Sequence, residues 1–172
     1  QQDIFKQSLK DNGRTFTQQF VALPGKSEHQ TGLAIDLGLK KESIDFIRPD
    51  FPYIGICQQF REKSVPYGFI ERYPREKEHI TGIAHEPWHF RYVGTPHAEI
   101  MREHHFCLEE YIDFLKRFSQ DQPYTFYKDS QEIQIFYLKA DTENVSLGVT
   151  EGGSLSVSGN NVDGYIITEW RG

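Results

Sequence analysis

Pro87, inside the segment His85-Glu86-Pro87-Trp88-His89, constrains this chain more than any other residue. The segment matches HExxH, in which two histidines one helical turn apart bind zinc and the intervening glutamate works on water. Residues i and i+4 converge only on a helix. A proline there would remove a backbone hydrogen bond and press on the carbonyl four residues back, at a cost of about 3 kcal/mol or more. The flanks, residues 79–84 (HITGIA) and 89–93 (HFRYV), are β-branched, aromatic or glycine-containing and favour strand. Two strands are therefore expected, Ile80 to Ala84 and Trp88 to Val93, around a tight connection. Alternation on the second sets Trp88, Phe90 and Tyr92 against His89, Arg91 and Val93. His85 and His89 would then diverge. A helical HExxH-type zinc protease, with Glu109 or Glu110 as its further ligand, stays as the alternative.

A second block, Ser27-Glu28-His29-Gln30-Thr31-Gly32-Leu33-Ala34-Ile35-Asp36, offers a different set. His29 and Asp36 with His89 would supply two neutral imidazoles and one carboxylate. Structural zinc sites usually take four protein ligands, whereas three with an open position suit a catalytic site. Gly32 permits a tight reversal between His29 and Asp36. Leu33 to Leu37 reads as a strand with a carboxylate in its middle.

At 172 residues the chain fits one domain, or one with a small appendage. Its 37% hydrophobic and 26% charged residues are ordinary for a globular protein. A formal charge of -6 would repel phosphate backbones, so no nucleic acid partner is expected. No window approaches the roughly 18–20 apolar residues of a membrane span. The chain opens on Gln1 rather than methionine and is expected to be a fragment of a longer protein. Cys57 and Cys107 lack CxxC spacing and read as two buried thiols.

Periodicity predicts a short helix over 2–11 stopped at Asn12-Gly13, and an apolar run from Phe20 ended by Pro24-Gly25. It predicts a second helix over 55–67 with Ile56, Phe60 and Tyr67 on one face, and a third over 107–118. After Pro123 short alternating runs follow, YTFY, EIQIFYL, NVSLGV, SLSVS and YIITEW, separated by turn residues. The expected fold class is α+β: a small mixed or antiparallel sheet with packing helices around a zinc site. Residues 1–119 would form the catalytic domain, lacking its N-terminal part, and 120–172 a β-rich C-terminal appendage.

SxHxxGxAxD followed about 50 residues later by ExWH resembles the signature of the VanX, VanY and VanXY zinc D,D-peptidases. Every position is present: Ser27, His29, Gly32, Ala34 and Asp36, then Glu86, Trp88 and His89. The similarity covers about residues 1 to 118 and is closest to the bifunctional VanXY branch. It implies one zinc ion held by His29, Asp36 and His89, with Glu86 as the catalytic base. It implies hydrolysis of D-alanyl-D-alanine, as the dipeptide or at the end of the muramyl pentapeptide precursor, and so removal of the target of vancomycin. Ser27 and Gln1 are carried over as substrate-binding residues; Trp88 is assigned first to packing and then to the substrate. The family's oxyanion-stabilising arginine would lie upstream of Gln1. The branch implies a cytoplasmic location, with a membrane anchor upstream as the alternative, and a homodimer is left open. A non-catalytic zinc module binding cell-wall stem peptides is the reading from a different class.

Overall fold

The computed structural model describes residues 2–140, 146–148 and 150–171. The chain divides into two compact units, Gln1–Cys107 and Leu108–Gly172. The fold is α+β, with helices and two antiparallel sheets.

In the first unit α1 (Gln2–Phe20) precedes β1 (Ala34–Asp36), α2 (Gly55–Ser64), β2 (Phe69–Tyr73), α3 (Glu78–Thr81), β3 (Glu86–Tyr92) and α4 (His97–His104). The strands form an antiparallel sheet in the order β1-β3-β2. Trp88 and Phe90 point from central β3 into a core with Phe51 and Cys57, against which Phe20, Leu37, Phe60 and Phe69 pack. Phe90 is fully buried, its ring 4.9 Å from that of Phe60 and 5.5 Å from that of Phe51. His89 and Arg91 take the opposite face, as alternation requires.

Pro87 lies within β3, where the pairing with β2 is irregular. Glu71 opposes Phe90, but Tyr73 opposes Glu86, so the ladder skips at Pro87 and Trp88. A proline has no N–H to give the ladder and is tolerated at such a bulge. Its carbonyl accepts a hydrogen bond from the Arg61 guanidinium at 2.8 Å.

Several sequence expectations are corrected. Ile80 to Ala84 is not a strand: Glu78–Thr81 is a helical turn ended by Gly82 at φ 69°, a left-handed position that suits glycine. The first helix is interrupted at Gly13 as expected, but a second helical stretch that periodicity did not predict follows it. The backbone breaks there, at φ 80° and ψ 174°, and resumes as helix to Phe20. The Ser8 and Thr17 hydroxyls, 2.9 Å apart and buried, tie the two halves together. Over 55–67 the helix ends at Ser64 and a 3-10 turn continues to Tyr67. Its inward face is set by Cys57, Phe60 and Ser64, while Ile56 and Tyr67 point to solvent, 73% and 75% exposed.

The second unit holds α5 (Leu108–Leu115), β4 (Tyr124–Lys128), β5 (Gln131–Lys139), β6 (Ser154–Gly159) and β7 (Gly164–Trp170). Tyr111, Ile112 and Leu115 are the buried face of α5. The strands form an antiparallel sheet in the order β4-β5-β7-β6, built from four of the five alternating runs. Of NVSLGV, residues 144, 145 and 149 lie outside the described residues, and 146–148 form no strand. Among the described residues no helix is long and apolar enough to cross a membrane.

The core behind β3 supports the face that carries His89. Phe90→Ala is expected to lower unfolding free energy by about 3–5 kcal/mol, read from the shift in denaturant midpoint at unchanged slope. A loss below about 1 kcal/mol would show that the Phe90 cluster is not the main support of this unit.

Candidate metal centre

Antiparallel register assembles the site. Ala34 faces Arg91, Ile35 faces Phe90 and Asp36 faces His89, so two blocks far apart in sequence meet as directly opposed residues.

His89 Nδ1 lies 2.9 Å from Asp36 Oδ1. His29 reaches the same carboxylate from the short 3-10 helix Glu28–Thr31, its Nε2 3.3 Å from Asp36 Oδ2. Gly32, at φ 72°, ends that helix with its N–H on the His29 carbonyl and turns the chain into β1. The His29 and His89 rings stand nearly perpendicular, 4.9 Å between centroids.

One ligand atom from each of His29, Asp36 and His89 lies within 4.8 Å of the others. Three donors about 2.1 Å from one tetrahedral ion would stand roughly 3.4 Å apart, so the set fits a small divalent cation with little adjustment. His29 Nδ1 is 3.2 Å from the Ala34 carbonyl, which can only accept a hydrogen bond, so this nitrogen carries the proton and Nε2 is left as the donor to a metal. The His29 and Asp36 side chains are 43% and 31% exposed, whereas that of His89 is 6% exposed. The cluster therefore has a closed floor and an open side.

Glu86 is buried, with Oε2 3.7 Å from His89 Nδ1. Strict alternation along β3 would have turned it to the side of Phe90. The irregularity at Pro87 re-aims it, a common role of bulges beside functional sites. Tyr73, opposite Glu86 across the same irregularity, brings its ring to 5.0 Å from that of His89. A cavity of about 150 Å³ opens over the cluster, lined among others by Ser27, His29, Asp36, Tyr73, Glu86 and His89. Ser27 is buried at its edge and caps nothing with its side chain. Trp88 is buried in the core cluster and also borders the cavity. Gln1 lies outside the described residues.

The helical HExxH arrangement is not formed. Glu86–Tyr92 is strand, and the His85 Nε2 instead lies 2.7 Å from the Tyr53 hydroxyl, which also donates to Glu71. Glu109 and Glu110 belong to α5 of the second unit. One contributor escaped the sequence reading. Glu28, beside His29, faces His89 from behind and is held by Arg72 and Arg91. The signal was present in two arginines on adjacent strands, one of them sharing the face of His89.

The electrostatics follow from this crowding. Burial pushes the Glu86 carboxyl up to about 8; the Asp36 and Glu28 charges add to the rise and His89 opposes it. For Asp36 burial acts upward, but hydrogen bonds from His29 and His89 outweigh it and hold the carboxyl at about 2. Glu28 likewise falls to about 2, burial being overcome by His89 and Arg72. His89 rises to about 9, because the pull of the Asp36 and Glu28 carboxylates outweighs burial. His29 also rises, chiefly through its hydrogen bond to Asp36.

With the geometry in view, comparison with known proteins identifies the class. The model of the VanY family, D-alanyl-D-alanine carboxypeptidase, matches residues 1–95, and the chain belongs to that family. Within it, the chain is 53% identical over 116 residues to the bifunctional D-Ala-D-Ala dipeptidase and D-Ala-D-Ala carboxypeptidase VanXYC of Enterococcus gallinarum, covering 67% of this chain and 61% of that protein. The chain thus spans about three-fifths of that relative's length. The crystal structure of the vancomycin resistance D,D-dipeptidase VanXYg, in complex with a D-Ala-D-Ala phosphinate analogue, superposes with a TM-score of 0.95 at 55% identity. It covers 99% of this chain and 68% of that one. A vancomycin resistance D,D-pentapeptidase VanY solved with Zn(II) gives a TM-score of 0.52 at 34% identity, over 64% of each chain.

The charge network gives the metal-free chain a stability optimum. Asp36 and Glu28, lowered from 3.8 and 4.5, contribute stability that is present above about pH 4.5 and lost as pH falls towards 2. His89, raised from 6.5, contributes stability that is present below 6.5 and lost as pH rises through about 9. Glu86, raised from 4.5, opposes folding increasingly between 4.5 and 8. Thermal midpoints of chelator-treated protein are therefore expected to peak between about pH 4.5 and 6.5 and to decline on both sides. A midpoint still climbing from pH 6.5 to 9 would contradict this account.

Proposed function

We propose that this protein is a zinc-dependent D,D-dipeptidase and D,D-carboxypeptidase. Its substrates would be D-alanyl-D-alanine and the terminal D-alanine of the peptidoglycan pentapeptide precursor, which links it to vancomycin resistance. The observation that carries the reading is the convergence of His29, Asp36 and His89 on one point, with Glu86 3.7 Å from the His89 ring at the wall of an open cavity. The resemblance to VanXYC and VanXYg supports the substrate class.

His29 Nε2, Asp36 and His89 Nδ1 would hold the zinc. When bound, zinc supplies Lewis acidity, polarising the scissile carbonyl and making a water acidic enough to react near neutral pH. Glu86 takes the proton from the attacking water and returns it to the leaving D-alanine amine. Burial places its proton affinity near neutrality, where a group can both accept and release a proton. Ser27 and Trp88, which line the cavity, would contact the substrate. We assign the chemistry to residues 1–119 and none to 120–172, since the proposed ligands and base all lie between His29 and His89.

The test is release of D-alanine from the dipeptide and from the pentapeptide by zinc-loaded protein, in this chain and in one extended upstream to the length of its relatives. Glu86→Gln is expected to cut turnover by about 10²- to 10⁴-fold while leaving one zinc per chain. Neither substrate being cleaved by either form would overturn the reading. Metal content separates the two ligand sets: His29→Ala should lose zinc and His85→Ala should retain it. The reverse pattern would restore the HExxH assignment.

A further inference from the structure

Behind the metal cluster lies a second, buried charge cluster whose purpose the ligand set does not explain. Glu28 Oε1 accepts a hydrogen bond from Arg72 Nε at 2.8 Å. Its Oε2 lies 3.4 Å from Arg91 Nη1 and 3.5 Å from His89 Nε2. The side chains of Arg72, Arg91 and His89 are 8%, 7% and 6% exposed and that of Glu28 16%. Burying one carboxylate against two guanidinium groups is expensive unless the groups are well used. Glu28 Oε2 and His89 Nε2 face each other, buried and without a hydrogen bond to any other described residue. A ring tilt of roughly 0.3 Å would bring them into ordinary hydrogen-bond range.

The two histidines of the cluster present opposite nitrogens to it. His29 keeps its proton on Nδ1, against the Ala34 carbonyl, and offers Nε2. His89 turns Nδ1 towards Asp36 and Nε2 towards Glu28. A backbone carbonyl secures the first choice. Among the described residues no backbone carbonyl accepts a hydrogen bond from His89 Nε2, and the group that faces it is the Glu28 side chain.

We propose that Glu28 is a positioning residue which fixes the proton of His89 on Nε2, leaves Nδ1 bare for the metal, and is itself locked by Arg72 and Arg91. This rests on the reading of His29, Asp36 and His89 as metal ligands. The arginines are what make the lock directional. Both can only donate, so whatever stands at position 28 must turn acceptor atoms towards them. A carboxylate has two acceptor oxygens and satisfies the arginines and His89 together. An amide has one, and with that oxygen on Arg72, the shortest of these contacts, its NH₂ faces both Arg91 and His89 Nε2. Two donors would then oppose each other unless the imidazole moves its proton to Nδ1, the nitrogen required by the metal. Groups that orient a metal-ligating histidine typically change metal affinity by about 10- to 100-fold when removed.

Glu28→Gln preserves size and is the discriminating change. Zinc affinity, measured by competition with a chromophoric chelator, is expected to fall about 10- to 100-fold in the variant. The second measurement needs no variant and stands if Glu28→Gln fails to fold. In zinc-loaded parent protein labelled with ¹⁵N, long-range proton–nitrogen spectra should show His89 with Nε2 protonated and a slowly exchanging imidazole proton. In the variant that proton should shift or vanish, a change that loss of packing alone would not produce. Zinc affinity unchanged within about twofold, or a His89 Nε2 that carries no proton in the parent, would overturn the inference while leaving the ligand set intact. A parent chain that takes up no zinc would instead overturn the metal reading on which it rests.

Discussion

The opposition of Asp36 and His89 across the β1-β3 ladder is the constraint on which the rest of the site depends. Fifty-three residues of sequence separate the two, yet antiparallel pairing makes them neighbours on one face of the sheet. A slip of one residue would turn Asp36 away and replace it with Ile35 or Leu37, since side chains alternate with a period of two. The register is held from the other side of the sheet. Trp88 and Phe90 are buried against Phe51, Phe60 and Cys57, so a slip would also pull two large rings out of the core. Metal-site geometry and core packing therefore rest on the same pairing.

Pro87 adds the second ingredient. In an uninterrupted strand Glu86 would share the face of Phe90 and could not serve the cluster. The skipped pairing at Pro87 moves both Glu86 and Tyr73 to the side of His89. Proline cannot join the ladder, and here the missing donor coincides with the place where the ladder must be broken. The residue that excludes a helical zinc motif is also the residue at which the strand turns Glu86 to the side of His89, three positions on.

Around this core the charges balance in layers. Asp36 links the two imidazoles, Glu28 backs His89, and Arg72 and Arg91 compensate Glu28. Glu86 alone among these carboxyls is raised, because it is the most deeply buried and has no guanidinium beside it among the described contacts. Carboxyls a few ångströms apart thus end with opposite proton affinities, which suits one to bind metal and the other to move a proton.

His29, Asp36 and His89, which the structure brings together, were put forward before the fold was known from residue type and from the resemblance to the VanX, VanY and VanXY signature, while Pro87 argued against the local helix that would have chosen His85. Strong periodicity likewise marked α5 and four strands of the tail. Elements without strong periodicity were decided elsewhere. Ile80 to Ala84 carries strand-forming residues, but a left-handed Gly82 closes it as a helical turn. The break at Gly13 was legible from its residue type, but the second helical stretch up to Phe20 was not; Ser8 and Thr17 join the two stretches through a contact between residues nine apart that no local pattern shows. Glu28 carried no signal of its own in the sequence. Its place behind His89 exists only once β2 and β3 bring Arg72 and Arg91 together. Residue type and local propensity determined which groups could bind a metal and which segment could not be helix. Tertiary structure decided their register, the bulge that turns Glu86 inward and the carboxylate that backs His89, because each depends on contacts between strands that sequence order keeps far apart.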